Sequence, residues 1–166
     1  MEHPVLDTSQ MSDGLRRVYD YWQQLRGEKQ MPQWSAFDWM ELPVDVIPWC
    51  VVVDVTQDSL DFIYRFWGTA RTALQGKDYT GLSIRDVTPN ELSRKIFDEY
   101  SMIAEKGLPV HFVTTDFSDA DGKKFEYHFL RIPFGGDGQH VTQILAVGMH
   151  EEMDIKIIQN FFETPS

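Results

Sequence analysis

With 166 residues, 42% of them hydrophobic and 13% aromatic, the chain carries enough apolar material for one domain with its own core and too much for a disordered chain. Its net charge of -11, from 26 acidic against 15 basic side chains, argues against a surface built for phosphate backbones or anionic lipid heads, so neither nucleic acid nor membrane is an expected partner. The densest basic spots, Arg16-Arg17, Arg94-Lys95 and Lys123-Lys124, are pairs on solvated faces and not clusters. Cys50 is the single cysteine, which excludes an internal disulfide and Cys-rich metal sites and fits a reducing, cytoplasmic setting. The opening MEHPVLDTSQ lacks the basic start and apolar run of a signal peptide, and nowhere do about 18 apolar residues run together to span a bilayer.

Along the chain, Leu15, Val18, Tyr19, Trp22 and Leu25 recur at steps of three and four and predict an amphipathic helix, with Ser12 or Asp13 to cap it and Gly27 to end it. Residues 31–48 contain Pro32, Pro43 and Pro48, which break any long helix, yet Trp34, Phe37, Trp39, Leu42, Val46 and Ile47 require the segment to pack down. Trp49 to Val55 and Asp61 to Trp67 read as two strands of a hairpin around Gln57-Asp58-Ser59. Thr69 to Gln75 is a short helical stretch closed by Gly76, and residues 78–87 form a loop with one further helical turn. Asn90 is expected to cap a longer helix reaching Lys106, with Gly107 as its stop. Three strands follow, Val110 to Phe117, Phe125 to Phe134 and Val141 to Met149, joined at Asp119-Ala120-Asp121-Gly122 and Gly135-Gly136-Asp137-Gly138. Glu151 to Phe162 predicts a terminal helix.

Strands at both ends with helices between them favour an α+β domain with one five-stranded antiparallel sheet, helices on one face, and flanking helices at each terminus. This order resembles that of PAS domains. Phe62 to Thr69 is similar to the second PAS strand running into the Gly-Thr that opens a short helix, and Gln75 to Gly81, then Leu82 to Val87, resemble the passage between two PAS helices. Gly135-Gly136-Asp137-Gly138 ahead of Val141 to Val147 resembles the last PAS hairpin. More narrowly, the chain from Leu15 to Gly148 is similar to small stand-alone bacterial PAS proteins of alphaproteobacterial type. The resemblance divides the chain into an N-terminal helix and proline-containing linker (1–48), a PAS-like core (49–150) and a C-terminal helix and tail (151–166). It departs from many signalling PAS domains at the exit, where Met149 to Asp154 lacks their Asp-x-Thr step. No effector follows within these residues, so output is expected through a separate signalling protein.

The resemblance implies a sensory module that binds a small-molecule ligand or a partner, without catalysis. No G-x-S-x-G, phosphate loop or H-E-x-x-H is present, and no carboxylates pair at a motif spacing. The bound cofactor is left unknown. Covalent flavin chemistry is disfavoured, because Cys50 lies in the first strand and not in the helical region after the second. Haem held by a helix histidine is disfavoured, because the stretch 90–106 has none; His3, His111, His128, His140 and His150 lie elsewhere. Alternation turns Phe62, Tyr64 and Phe66 inward against Arg65, and Phe125, Tyr127 and Phe129 inward against Glu126, because an unpaired charge is costly to bury. Ligand-pocket candidates are therefore Tyr64, Phe66, Tyr127 and Phe129, with His111, and with Thr69 and Arg71 at the mouth of the first short helix, where a surface salt bridge is the plainer role for Arg71. Leu15, Val18, Tyr19, Trp22 and Leu25 are dimer-contact candidates for a homodimer, unless that face folds back on the sheet. Two other classes stay open: an interaction (dimerisation) module with a filled core and no ligand, and a small α+β enzyme with an inward base such as Asp116.

Overall fold

In the computed structural model the described residues are 6–115, 122, 126–136, 140–149 and 152–163. Outside them lie His3, His150, Asp116, Phe125, the turn residues 119–121, and Asp137 and Gly138 of the glycine-rich connection. Helix α1 (Asp13–Arg26) starts at Ser12, whose Oγ accepts from the Leu15 amide at 3.4 Å, and ends at Gly27 with φ 55°, a backbone state open to glycine. Three single 3₁₀ turns, Trp34–Ala36, Trp39–Glu41 and Ile47–Trp49, carry the proline-containing segment. Then come β1 (Cys50–Val55), β2 (Phe62–Trp67), α2 (Thr69–Gln75) with Gly76 left-handed behind it, and a 3₁₀ turn at Ile84–Asp86. That turn is held reciprocally: Ser83 Oγ accepts from the Arg85 amide, and Asp86 Oδ2 accepts from the Ser83 amide. Helix α3 (Asn90–Lys106) follows, with Asn90 inside the helix and Pro89 at the cap position instead. Strands β3 (Val110–Thr114), β4 (Tyr127–Phe134) and β5 (Gln143–Val147) and helix α4 (Glu152–Glu163) complete the order.

The five strands form one antiparallel sheet in the order β2-β1-β5-β4-β3, so the hairpin read from the sequence forms one side and the last strand closes the centre. Both faces of the sheet are covered. On one, α1 lays down the stripe Leu15, Val18, Tyr19 and Trp22, each at most 2% exposed, and the Trp22 indole N–H donates to the Pro133 carbonyl at 2.8 Å. Trp34 and Phe37 meet Phe134 edge-to-face beside it, with ring centroids 5.2 and 5.6 Å away. The expected dimer-contact face is thus spent on the chain's own sheet: burying it there removes apolar area from water without a second chain. Leu25 packs against the same core, half-buried. Helices α2 and α3 cover the other face.

One irregularity decides which side chains share a face. Val52 pairs with Phe66 but Val53 pairs with Tyr64, so Arg65 is the extra residue of a β-bulge. Arg65 points outward and its Nε donates to Asp54 Oδ1 at 2.7 Å, satisfying the charge at the surface. The bulge advances the alternation by one. Trp67 therefore joins Tyr64 under α3, their rings edge-to-face at 4.9 Å, while Phe66 turns to the α1 face and meets Trp39 at 4.6 Å. The inward placement of Phe66 beside Tyr64, expected from simple alternation, is corrected by this.

Candidate functional site

Register lays one row of residues across four strands on the α3 side: Trp67 opposite Val51, Val51 opposite Ala146, and Ala146 opposite Arg131. Small and short side chains in the middle of the row leave a hollow, which α3 roofs with Leu92, Ile96, Glu99 and Tyr100. Helix α2 adds Arg71, Leu74 and Gln75 as a side wall, and Phe162 of α4 closes a corner. The result is a cavity of about 80 Å³, which also touches Tyr64, Lys95, Thr114 and Phe129.

Its polar groups are unusual for a core. Arg131 is 6% exposed, its guanidinium lying over the Tyr100 ring at 4.7 Å and beside Phe112 at 5.2 Å. Its Nη2 pairs with Glu99 Oε2 at 2.8 Å, and the side chains of both partners are largely buried. Its Nε and Nη1 have no acceptor, and neither has the buried indole nitrogen of Trp67. Arg71 is also buried. Its Nε donates to the Trp49 carbonyl at 3.3 Å and its Nη2 to the Gly148 carbonyl at 2.7 Å, with the guanidinium 5.3 Å from the Phe129 ring centre. Gly148 makes this possible, because a Cβ there would overlap the Phe129 ring and sit 2.7 Å from Arg71 Nη2. Burial, and then the neighbouring Arg131, pulls Arg71 down to about 10, still charged at neutral pH. Burial raises the hydroxyls of Tyr64 and Tyr100, which stay neutral. Lys95 Nζ donates to Thr114 Oγ1 at 2.8 Å on the same wall.

Of the residues singled out from the sequence, Tyr64, Arg71 and Phe129 come together at this cavity. Arg71 is no surface salt bridge: it is anchored on two carbonyls inside the fold. Tyr127 is buried on the inward face, but beside Leu74 and Ile158 of α4, away from the hollow. Thr69 is exposed at the first position of α2. His111 is misplaced by the expectation: Phe112 pairs with Phe129, which puts His111 on the opposite sheet face, where its Nε2 lies 2.9 Å from His128 Nδ1. Phe66 is removed by the bulge, as above. The reading of the sequence missed Arg131, Glu99 and Trp67. Arg131 was within reach, since the alternation that turns Tyr127 and Phe129 inward also turns residue 131 inward. Glu99 sits three residues after Ile96, on the same face of α3. Trp67 was hidden by the bulge.

Neither a flavin nor a haem suits these residues. The cavity is about half the size of the roughly 150 Å³ apolar cavity that takes benzene, far short of a tricyclic flavin ring or a porphyrin. Cys50 does not line it: its buried thiol lies 3.5 Å from the Val46 carbonyl and burial pushes it up to about 12. Among the described residues, no histidine lines it, and no group of three or more His, Cys, Asp or Glu side chains could hold a metal ion.

Several solved structures are similar to this chain. A structure of the PAS domain of BvgS from Bordetella pertussis is similar, with 14% identity, a TM-score of 0.46 and coverage of 69% of this chain and 85% of that one. A variant of the fungal photoreceptor VVD has 13% identity and a TM-score of 0.45, with 80% and 93% covered. The LOV protein of Rhodobacter sphaeroides has 12% identity and a TM-score of 0.45, with 64% of this chain matched and only 62% of that chain spanned. No curated protein matches. No helix among the described residues is long and apolar enough to cross a membrane. The PAS_5 family model, described as PAS domain, matches residues 10–149, running from the start of α1 through the whole sheet. With that match over most of its length and with its five-stranded antiparallel sheet, the chain belongs to the PAS domain family.

Proposed function

We propose that this chain is a sensory module, with no catalysis of its own, that takes a small ligand into the cavity beneath α3 and passes its occupancy to a separate signalling protein through α4. The observation that carries the reading is the cavity itself, bounded by the sheet and three helices and sharing Phe162 with α4. At about 80 Å³ it exceeds the roughly 15 Å³ that one water needs, so it is more than a packing gap. Helix α4 is seated so as to respond: Ile158 is fully buried against Leu74 and Tyr127, and Gln159 Nε2 donates to the Ala73 carbonyl at 3.0 Å. A ligand that shifts Phe162 or Leu74 therefore changes the seat of α4 directly. Against an enzyme stands the one carboxylate among the described lining residues, Glu99, which is tied to Arg131 and so is poorly placed to act as a base. The lone, buried Cys50 supports a cytoplasmic place of work. A homodimer, if formed, uses a surface other than the buried face of α1.

Native mass spectrometry of protein purified without added cofactor tests this, together with amide exchange in α4. Ala146→Leu, which adds three carbons into the hollow, is the control. The expected result is a small extra mass and slow exchange in α4 for the natural chain, both lost in the variant. Bare-chain masses for both proteins and equal α4 exchange in the two overturn the reading.

A further inference from the structure

The cavity joins an apolar lining to one under-satisfied cation, and that combination specifies a ligand class. A guanidinium has five N–H donors. In Arg131 the Nη2 group serves Glu99, while the one N–H on Nε and the two on Nη1 find no acceptor among the protein's own groups, and both nitrogens are buried. A buried donor left without an acceptor is destabilising. The buried Trp67 indole N–H, at the other end of the same row, is in the same condition. Glu99 answers one part of the guanidinium, and the neighbouring cations Arg71 and Lys95 make the wall more positive. An anion with several lone pairs is the group that satisfies such donors, and a planar carboxylate matches a guanidinium best. Between the two ends Val51, Ala146, Leu92, Ile96 and Leu74 form an apolar stretch of the lining that takes an alkyl body. The volume, about half that of a known apolar cavity that takes benzene, sets the length at a few carbons.

Building on the ligand-binding reading above, we infer that the cavity takes the anion of a short aliphatic monocarboxylic acid, its carboxylate toward Arg131 and its alkyl chain between Ala146 and the α3 residues Leu92 and Ile96. Side-chain adjustment at Arg131 admits the carboxylate, because its nitrogens are closed off in the free protein.

The test is calorimetric titration at pH 7 with sodium butyrate, butyramide and sodium nitrate, read alongside tryptophan fluorescence for Trp67. Butyrate is expected to bind at least about tenfold more tightly than butyramide, as charge-assisted hydrogen bonds outweigh neutral ones by about that factor. Nitrate, lacking the alkyl body, is expected to bind more weakly than butyrate. Arg131→Lys keeps the charge and should weaken butyrate about tenfold through loss of the planar fork. Ala146→Leu, with every cation in place, should abolish binding, so the test stands even where an Arg131 variant folds poorly. Equal binding of butyramide and butyrate overturns the inference and leaves the ligand-binding reading intact. Nitrate binding as tightly as butyrate also overturns it, in favour of an inorganic anion. No heat and no fluorescence change with any of the three, on folded protein, overturns it and counts against the binding reading as well.

Discussion

Arg131 and Glu99 form a largely buried pair whose two members are bound to each other's presence, so removing one is costlier than removing both. Glu99→Ala should therefore destabilise the fold by about 3 kcal/mol, the low end for breaking a buried pair, as read from urea denaturation midpoints. Replacing both, as Glu99→Leu with Arg131→Met, should recover most of that loss; a double variant worse than the single one would count against the pairing. His111 sets a pH dependence. Burial chiefly, and then the nearby His128, holds it below its ordinary 6.5, while Asp7 pulls weakly the other way and Glu126 lies 3.9 Å from His128. The unfolded chain takes up this proton as pH falls through about 6.5, before the folded chain does. Stability is thus complete above that value, declines as pH drops below it, and levels off beneath the folded pKa. Denaturation midpoints between pH 8 and pH 5 should show this decline, and His111→Gln should flatten it. Cys50, with its thiol raised to about 12, should resist a thiol reagent in the folded protein and react once urea unfolds it. That much was legible, since a lone cysteine in a β-branched strand reads as core. The roles of Arg131 and Glu99 were not, because a charge in a sequence carries no sign of which other charge will meet it.

Among the elements, α1 shows how far periodicity reaches. Steps of three and four announce an apolar stripe, and Ser12 and Gly27 mark its ends, but the stripe serves a partner helix, a second chain or the chain's own sheet equally well. Here the Trp22 indole reaches across to the Pro133 carbonyl, a residue over a hundred positions away, and seals the α1 face. Trp22→Ala should cost about 3–5 kcal/mol in a denaturant titration, the range for truncating a buried tryptophan, and should leave the mass in solution unchanged. A change of association state without loss of stability would restore α1 as a dimer contact. Strand β2 marks the limit of period-two reasoning. Nothing in Phe62-Ile63-Tyr64-Arg65-Phe66-Trp67 distinguishes a bulge from a plain strand, yet the extra residue at Arg65 sends Phe66 to one face and Trp67 to the other. A bulge belongs to a pair of strands, and the partner β1 is what reveals it.

For the molecule as a whole, tryptophans lie on both sides of the sheet: Trp22, Trp34 and Trp39 with α1, and Trp67 beneath α3. Because all the strands join in one sheet covered on both faces, thermal unfolding followed by tryptophan fluorescence and by far-ultraviolet circular dichroism should trace one coincident transition. Two separate midpoints would mean that the α1 layer melts on its own. The order of helices and strands, the chain's α+β class and its caps at Ser12, Gly76 and Gly107 follow from residues close together in sequence, since they depend on periodicity, backbone freedom and side-chain-to-amide bonds over a few positions. For that reason the sequence by itself determined the architecture and its resemblance to PAS domains. The cavity, the cation left short of acceptors inside it, the burial of the α1 stripe and the seat of α4 depend on register and packing between segments far apart in the chain, and those were decided only when the tertiary structure brought them into contact.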